Sequence, residues 1–166
     1  PYSPEELALF RQPAPVLASP DAQKKSVREL PAGVTELVAQ AQNHFAARQY
    51  DAAEADYQKI LQRDENNGLA LANLAIIELQ QNKLADAEKH AQAALAQSPN
   101  DAFNLATLGK TQFALGKYDD ALNTLSRAAK LDPQNPELQN YLGATLAQKG
   151  LRSQAETAFR TALQLA

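Results

Sequence analysis

Residues 102–135 of the chain read AFNLATLGKTQFALGKYDDALNTLSRAAKLDPQN. Leu105 and Leu108, with Gln112 in step, form one block at helical spacing, and Ala121, Leu125 and Ala128 form a second, with Gly116, Lys117 and Tyr118 between them. Steps of three and four put each block on one side of a helix. Gly116 stands where the first helix must stop in a left-handed turn. The stretch therefore predicts two antiparallel helices joined by a tight connection.

The same stretch recurs at an offset of 34 residues. Ala53, Ala87, Ala121 and Ala155 form one column, and Ala41, Ala75, Gly109 and Gly143 a second. Leu37, Leu71 and Leu105 align with Gln139 as the exception; Leu74, Leu108 and Leu142 align with Gln40 as the exception. Further columns hold Tyr57, Ala91, Leu125 and Phe159, then Ile60, Ala94, Ala128 and Ala162, then Pro99 and Pro133 with Glu65 departing. Seven columns in one register divide the chain into repeats 34–67, 68–101, 102–135 and 136–166. Gly150 repeats the stop of Gly116, Asn82 tolerates the same conformation, and Arg48 is the weakest stop of the four. Asn135 before Pro136 is a helix cap with proline at the first helical position. The small residues are expected to let helices cross closely, Gly109 or Ala75 facing Ala121 or Ala87.

Composition narrows the function classes. Of 166 residues 33 are alanine, while β-branched and aromatic residues are sparse, which favours helices over sheets. There is no cysteine, so disulfides, thiolate metal sites and a cysteine nucleophile are excluded. His44 and His90 lie 46 residues apart and are expected to be structural, with no metal site and no cofactor. Asp119 with Asp120, and Glu5 with Glu6, are neighbours that diverge on a helix, so they read as helix starts and solvated faces rather than an acid–base pair. No glycine-rich phosphate loop is present, and 16 basic against 19 acidic residues is the wrong balance for nucleic acid. No apolar run approaches the length of a membrane span. No catalytic residues are expected.

Six of the nine prolines fall within the first 31 residues, which marks residues 1–33 as a Pro-rich, partly helical arm. Ser3, Pro4 and Glu6 open a short helical turn running to about Phe10. Ser19, Pro20 and Asp21 open a second one that Pro31 ends, and Arg11 to Leu17 between them is extended by its prolines. The chain begins at Pro1 and has no Met, and repeat four is three residues short of a period. The expectation is a fragment or processed form, compatible with a bacterial cell envelope or cytoplasm, with Leu146, Leu163 and Leu165 partly exposed at an uncapped end that continues or contacts another copy.

These columns resemble the tetratricopeptide repeat (TPR) family across 34–166. Leu105, Leu108, Gly109, Tyr118, Ala121, Leu125, Ala128 and Pro133 stand at its signature positions, while Gln40, His44, Arg48 and Arg152 depart from it. The resemblance implies an all-α, right-handed solenoid of antiparallel helix pairs whose first helices line a concave groove that binds a peptide or helix. It assigns to the groove Val38, Gln42 and Phe45; Leu69, Asn73 and Ile76; Phe103, Thr107, Lys110 and Phe113; and Asn140 and Tyr141. One branch of the family grips acidic chaperone tails with Lys, Asn and Arg. Those positions here hold Val38, Gln42, Asn73, Phe103 and Thr107, of which only Asn73 fits.

Two functions follow. One is a non-catalytic scaffold that captures a hydrophobic or amphipathic protein segment in the groove, standing alone or as the interaction domain of a larger protein. The other is a self-association module in which the arm, with Leu7, Leu9, Phe10, Val16 and Leu17, occupies its own or a neighbour's groove.

Overall fold

The computed structural model describes residues 31–166; both helical turns expected of the arm fall in 1–30, outside the described residues. Eight α-helices and no strand make up the described part. They are α1 (Val34–Ala46), α2 (Tyr50–Arg63), α3 (Gly68–Gln80), α4 (Leu84–Gln97), α5 (Ala102–Ala114), α6 (Tyr118–Leu131), α7 (Pro136–Gln148) and α8 (Arg152–Leu165). Consecutive helices pair as four hairpins, and the second helix of each packs on the first helix of the next.

One backbone device closes all four hairpins. Arg48, Asn82, Gly116 and Gly150 have φ of 59°, 60°, 74° and 77°, the left-handed conformation that is strained for a side chain and free for glycine. Around Gly116 the amide of Gly116 donates to Phe113 O at 3.0 Å and that of Lys117 to Gln112 O at 2.9 Å. The same pair of bonds recurs at Arg48, Asn82 and Gly150, satisfying carbonyls that would otherwise be orphaned at the helix end. Between hairpins, side-chain caps start the next first helix. Asn67 accepts from Ala70 N at 3.0 Å, Asp101 from Asn104 N at 2.9 Å, and Asn135 from Glu137 N at 3.1 Å ahead of Pro136.

The helix crossing differs from the sequence expectation in one respect. A Cβ on Gly109 would lie 2.6 Å from Leu125 Cγ, and one on Gly143 2.7 Å from Phe159 Cε1. Gly109 is thus pressed against Leu125, one turn beyond Ala121, because ridges and grooves interlock a turn further along α6. At the equivalent positions of the second hairpin Ala75 and Ala91 share a buried cluster. Leu146, expected to be partly exposed, is buried with Ala155, Ala158 and Phe159, because it turns into its own hairpin; Leu163 is exposed.

Two hairpins carry an acid–histidine pair across the same interhelical interface. His44 Nδ1 of α1 lies 2.8 Å from Asp56 Oδ2 of α2, and His90 Nδ1 of α4 lies 2.8 Å from Glu78 Oε2 of α3. Asp56 and Glu78 are only 2% and 3% exposed, so each carboxyl depends on its partners; Asp56 also receives Lys59 at 3.1 Å. The third and fourth hairpins place Gln112 with Thr124 and Leu146 with Ala158 in those columns. His90→Ala, which strips Glu78 of its partner, is expected to destabilise the chain by about 1–3 kcal/mol. Adding Glu78→Leu, which copies the fourth hairpin, should recover most of that loss. Urea unfolding followed by circular dichroism measures both, and a double variant as unstable as the single one would contradict interchangeable packing in these columns.

Candidate functional site

The first helices of the four hairpins are α1, α3, α5 and α7, and the resemblance expects one side of each to line the concave face. On α3 the side so assigned holds Leu69, Ala72, Asn73 and Ile76, whose spacing keeps them together on the helix. The matching residues are Phe103, Ala106, Thr107 and Lys110 on α5, and Glu137, Asn140, Tyr141 and Ala144 on α7.

Two groups of residues assigned to the groove come together. Val38 of α1 and Phe103 of α5 pack on the cluster that contains Leu69 and Ala72, which makes an apolar strip across three first helices. Between α5 and α7, Lys110 Nζ lies 2.5 Å from Glu137 Oε2 and 5.6 Å from the centre of the Tyr141 ring. Phe113 meets Tyr141 edge-on at 5.7 Å between centroids and leans on Tyr118 at the same separation. Such pairs hold aromatic rings in fixed orientation while leaving part of their surface free. Burial together with the neighbouring Glu137 carboxylate pushes the Tyr141 phenol up to about 12.

Other assigned residues sit differently. Phe45 is 1% exposed, turned into the core of the first two hairpins with its edge on Tyr50, and takes no part in an open groove. Asn73, the one side chain that fits a carboxylate clamp, is fully buried and donates from Nδ2 to Leu69 O at 3.0 Å. Leu69, Thr107 and Asn140 are buried as well, and Thr107 donates its hydroxyl to Phe103 O at 3.0 Å. Gln42, Ile76, Phe103, Lys110, Phe113 and Tyr141 keep partial exposure. Glu137, which the resemblance also places on the groove side of the first helix of repeat four, joins the group one turn before Tyr141. Its Oε1 is buried with no hydrogen-bond partner among the described residues. Among the described residues no group of three or more His, Asp or Glu side chains is placed to hold a metal ion. No described helix is long and apolar enough to cross a membrane.

Residues 38–102 match the sequence profile of the family described as tetratricopeptide repeat, and residues 109–150 match a second profile described as TPR repeat. The chain belongs to the tetratricopeptide repeat family. A comparison with curated proteins gives no match. Among solved structures, the TPR chain is similar to MamA 41-end from Desulfovibrio magneticus RS-1, at 18% identity and a TM-score of 0.76 over 97% of this chain and 90% of that one. It is similar to TTC0263, a thermophilic TPR protein of Thermus thermophilus, at 23% identity and 0.68 over 80% and 74%. It is also similar to the first TPR of Spaghetti (RPAP3) bound to the HSP90 peptide SRMEEVD, at 26% identity and 0.67 over 70% and 93%. The TPR fold is the right-handed solenoid of helix pairs that the resemblance implied, and it is typically a non-catalytic scaffold for protein interaction.

Alkaline titration probes the α5–α7 group. With its folded value raised to about 12, Tyr141 keeps its proton in the native chain after an unfolded tyrosine, near 10, has lost it. Its contribution to stability is therefore full below about 10 and is lost as pH rises towards 12. Burial and the Asp56 carboxylate push the Tyr57 phenol up as well, so phenolate absorbance should show more than one late-titrating tyrosine and lose one of them in Tyr141→Phe; an unchanged late amplitude in that variant would contradict the assignment.

Proposed function

We propose that the concave face binds an apolar or amphipathic segment of a partner protein, without turnover. The observation that carries this reading is the chemistry of the side chains that keep partial exposure there: Val38, Ile76, Phe103, Phe113 and Tyr141 are apolar or aromatic, and the cation among them, Lys110, is already paired with Glu137. Removing such surface from water supplies roughly 25 cal/mol per Å². Half-buried aromatic side chains held by neighbours are the usual anchors of an interface. Glu137 Oε1, with no hydrogen-bond partner among the described residues, offers an acceptor to a donor on the bound segment.

An acidic tail is a poor match. The peptide bound to the Spaghetti TPR, SRMEEVD, carries three carboxylate side chains, and the clamp positions of this chain hold Val38, Gln42, Asn73, Phe103 and Thr107 with no cation. Desolvating carboxylates against such residues costs energy with no compensating charge. In this reading the binding unit is 34–166 and residues 1–33 are an arm attached to it.

Phe103→Asp should weaken partner capture at least tenfold, about 1.4 kcal/mol, while leaving helix content unchanged. Leu131→Asp, at an exposed leucine of α6, is the control expected to bind normally. The full chain and both variants, used as bait with quantification of the proteins retained, make the comparison. Equal capture by wild type and Phe103→Asp would place the binding surface elsewhere.

A further inference from the structure

Asn140 of α7 is a polar side chain where the other hairpins have none. Its column holds Ala106 in the third hairpin, Ala72 in the second and Val38 in the first. The residue is 5% exposed, and its amide makes no hydrogen bond among the described residues. A buried amide without a partner costs stability. Alanine would fit the same place in the repeat, since Ala72 and Ala106 are buried at 2% and 8% exposure.

A second group without a partner lies one turn away. Glu137 Oε2 is held by Lys110, whereas Oε1 is buried with no hydrogen-bond partner among the described residues. Positions three apart share one side of a helix, so the Asn140 amide and this oxygen stand together on the side of α7 assigned to the concave face. Asn104 of α5 also has a buried oxygen without a partner, but its Nδ2 donates to Ala94 O at 3.3 Å, which ties that side chain into the packing of α5 on α4. Asn140 has no such tie among the described residues.

The two groups select what can satisfy them. A side-chain amide donates from its nitrogen and accepts at its oxygen, which matches the C=O and N–H of one peptide unit, and Glu137 Oε1 accepts a further N–H. The charge of Glu137 is already met by Lys110, so a neutral N–H suits it better than a second cation. A helical segment has no main-chain groups to offer in its middle, because they bond to one another, whereas an extended segment leaves both kinds free. An extended chain covers the roughly 10 Å between packed helices in about three residues. A side chain resting on Phe103 of α5 and a peptide unit at Asn140 therefore belong to one short segment.

We propose that Asn140 and Glu137 grip main-chain amide groups of the bound segment, which therefore lies extended, not helical, where it crosses α7. The proposal rests on the function given above and adds how the segment is held. Its apolar side chains supply affinity on the strip across α1, α3 and α5, and the main-chain contact on α7 fixes its register and direction.

Two small compounds test it: 4-methylpentanoic acid N-methylamide, which carries one peptide-like group on a leucine-like tail, and the methyl ester of the same acid, which lacks the N–H. Each is titrated to millimolar concentration into the full, nitrogen-15-labelled chain. The amide is expected to shift the signals of the Asn140 side chain and of its neighbours on α7, with the ester binding there about tenfold more weakly. That preference should shrink several-fold in Asn140→Ala. The variant copies Ala72 and Ala106, and its helix content and urea midpoint are expected to equal or exceed those of the wild type. A clear fall in the midpoint would mean that the amide holds the fold together, and overturns the proposal. So do shifts that spare α7, equal binding of amide and ester by the wild type, or a preference unchanged in Asn140→Ala. The capture test with Phe103→Asp does not involve Asn140, so the function proposed above stands or fails separately.

Discussion

The close crossing of the two helices in each hairpin is the constraint on which the rest of the structure depends. Where the second helix presents Leu125 or Phe159, the first has Gly109 or Gly143, and a Cβ there would sit well inside contact distance. Where the second helix presents Ala91, the first has room for Ala75. Small against large and small against small keep the pairs near one spacing although the side chains differ. That spacing sets where α3, α5 and α7 stand, and so how Val38, Phe103 and Tyr141 are held relative to one another. Surface charge contributes less. Lys83 with Glu54 and Lys117 with Glu88 link successive hairpins at 2.8 and 2.7 Å, but solvent screens exposed pairs of this kind and leaves them little net effect on stability.

The interior changes character along the solenoid. The acid–histidine pairs of the first two hairpins give way to Gln112 with Thr124 and then to Leu146 with Ala158, so one interhelical site runs from ionisable to polar to apolar. A hairpin that buries a carboxyl depends on its histidine in a way that the last hairpin does not. Stability in a repeat array is close to a sum of local and neighbour terms. Polar pairs in the first two hairpins therefore make that half, next to the arm, the more sensitive to single substitutions.

Much of this was legible in the sequence. The 34-residue columns define the hairpins, and Gly116, Gly150 and Asn82 mark the left-handed stops that the backbone adopts; even Arg48, the poorest candidate, follows because the surrounding hairpin imposes it. The partner of Gly109 was misplaced by one turn, because a column says that a position is small but not which residue fills the space beside it. The burial of Phe45 and Asn73 was not legible either. Both occupy groove positions in the repeat, but Phe45 finds the edge of Tyr50, and Asn73 lies on a side of α3 that is enclosed. The pairing of His44 with Asp56 and His90 with Glu78 had a signal, since both pairs fall in the same two columns with acid and base exchanged.

A double-mutant cycle at residues 109 and 125 tests the central claim, that side-chain size matched across the crossing sets the geometry of the array. Gly109→Ala is expected to destabilise the wild-type chain by about 1–3 kcal/mol, through overpacking against Leu125. In a Leu125→Ala background the same substitution recreates the Ala75–Ala91 pair, and it should be neutral or stabilising by up to about 1 kcal/mol, the helix preference of alanine over glycine. Urea midpoints for the four chains supply the coupling energy. A large coupling with that change of sign is the predicted result; the same cost for Gly109→Ala in both backgrounds would contradict the account.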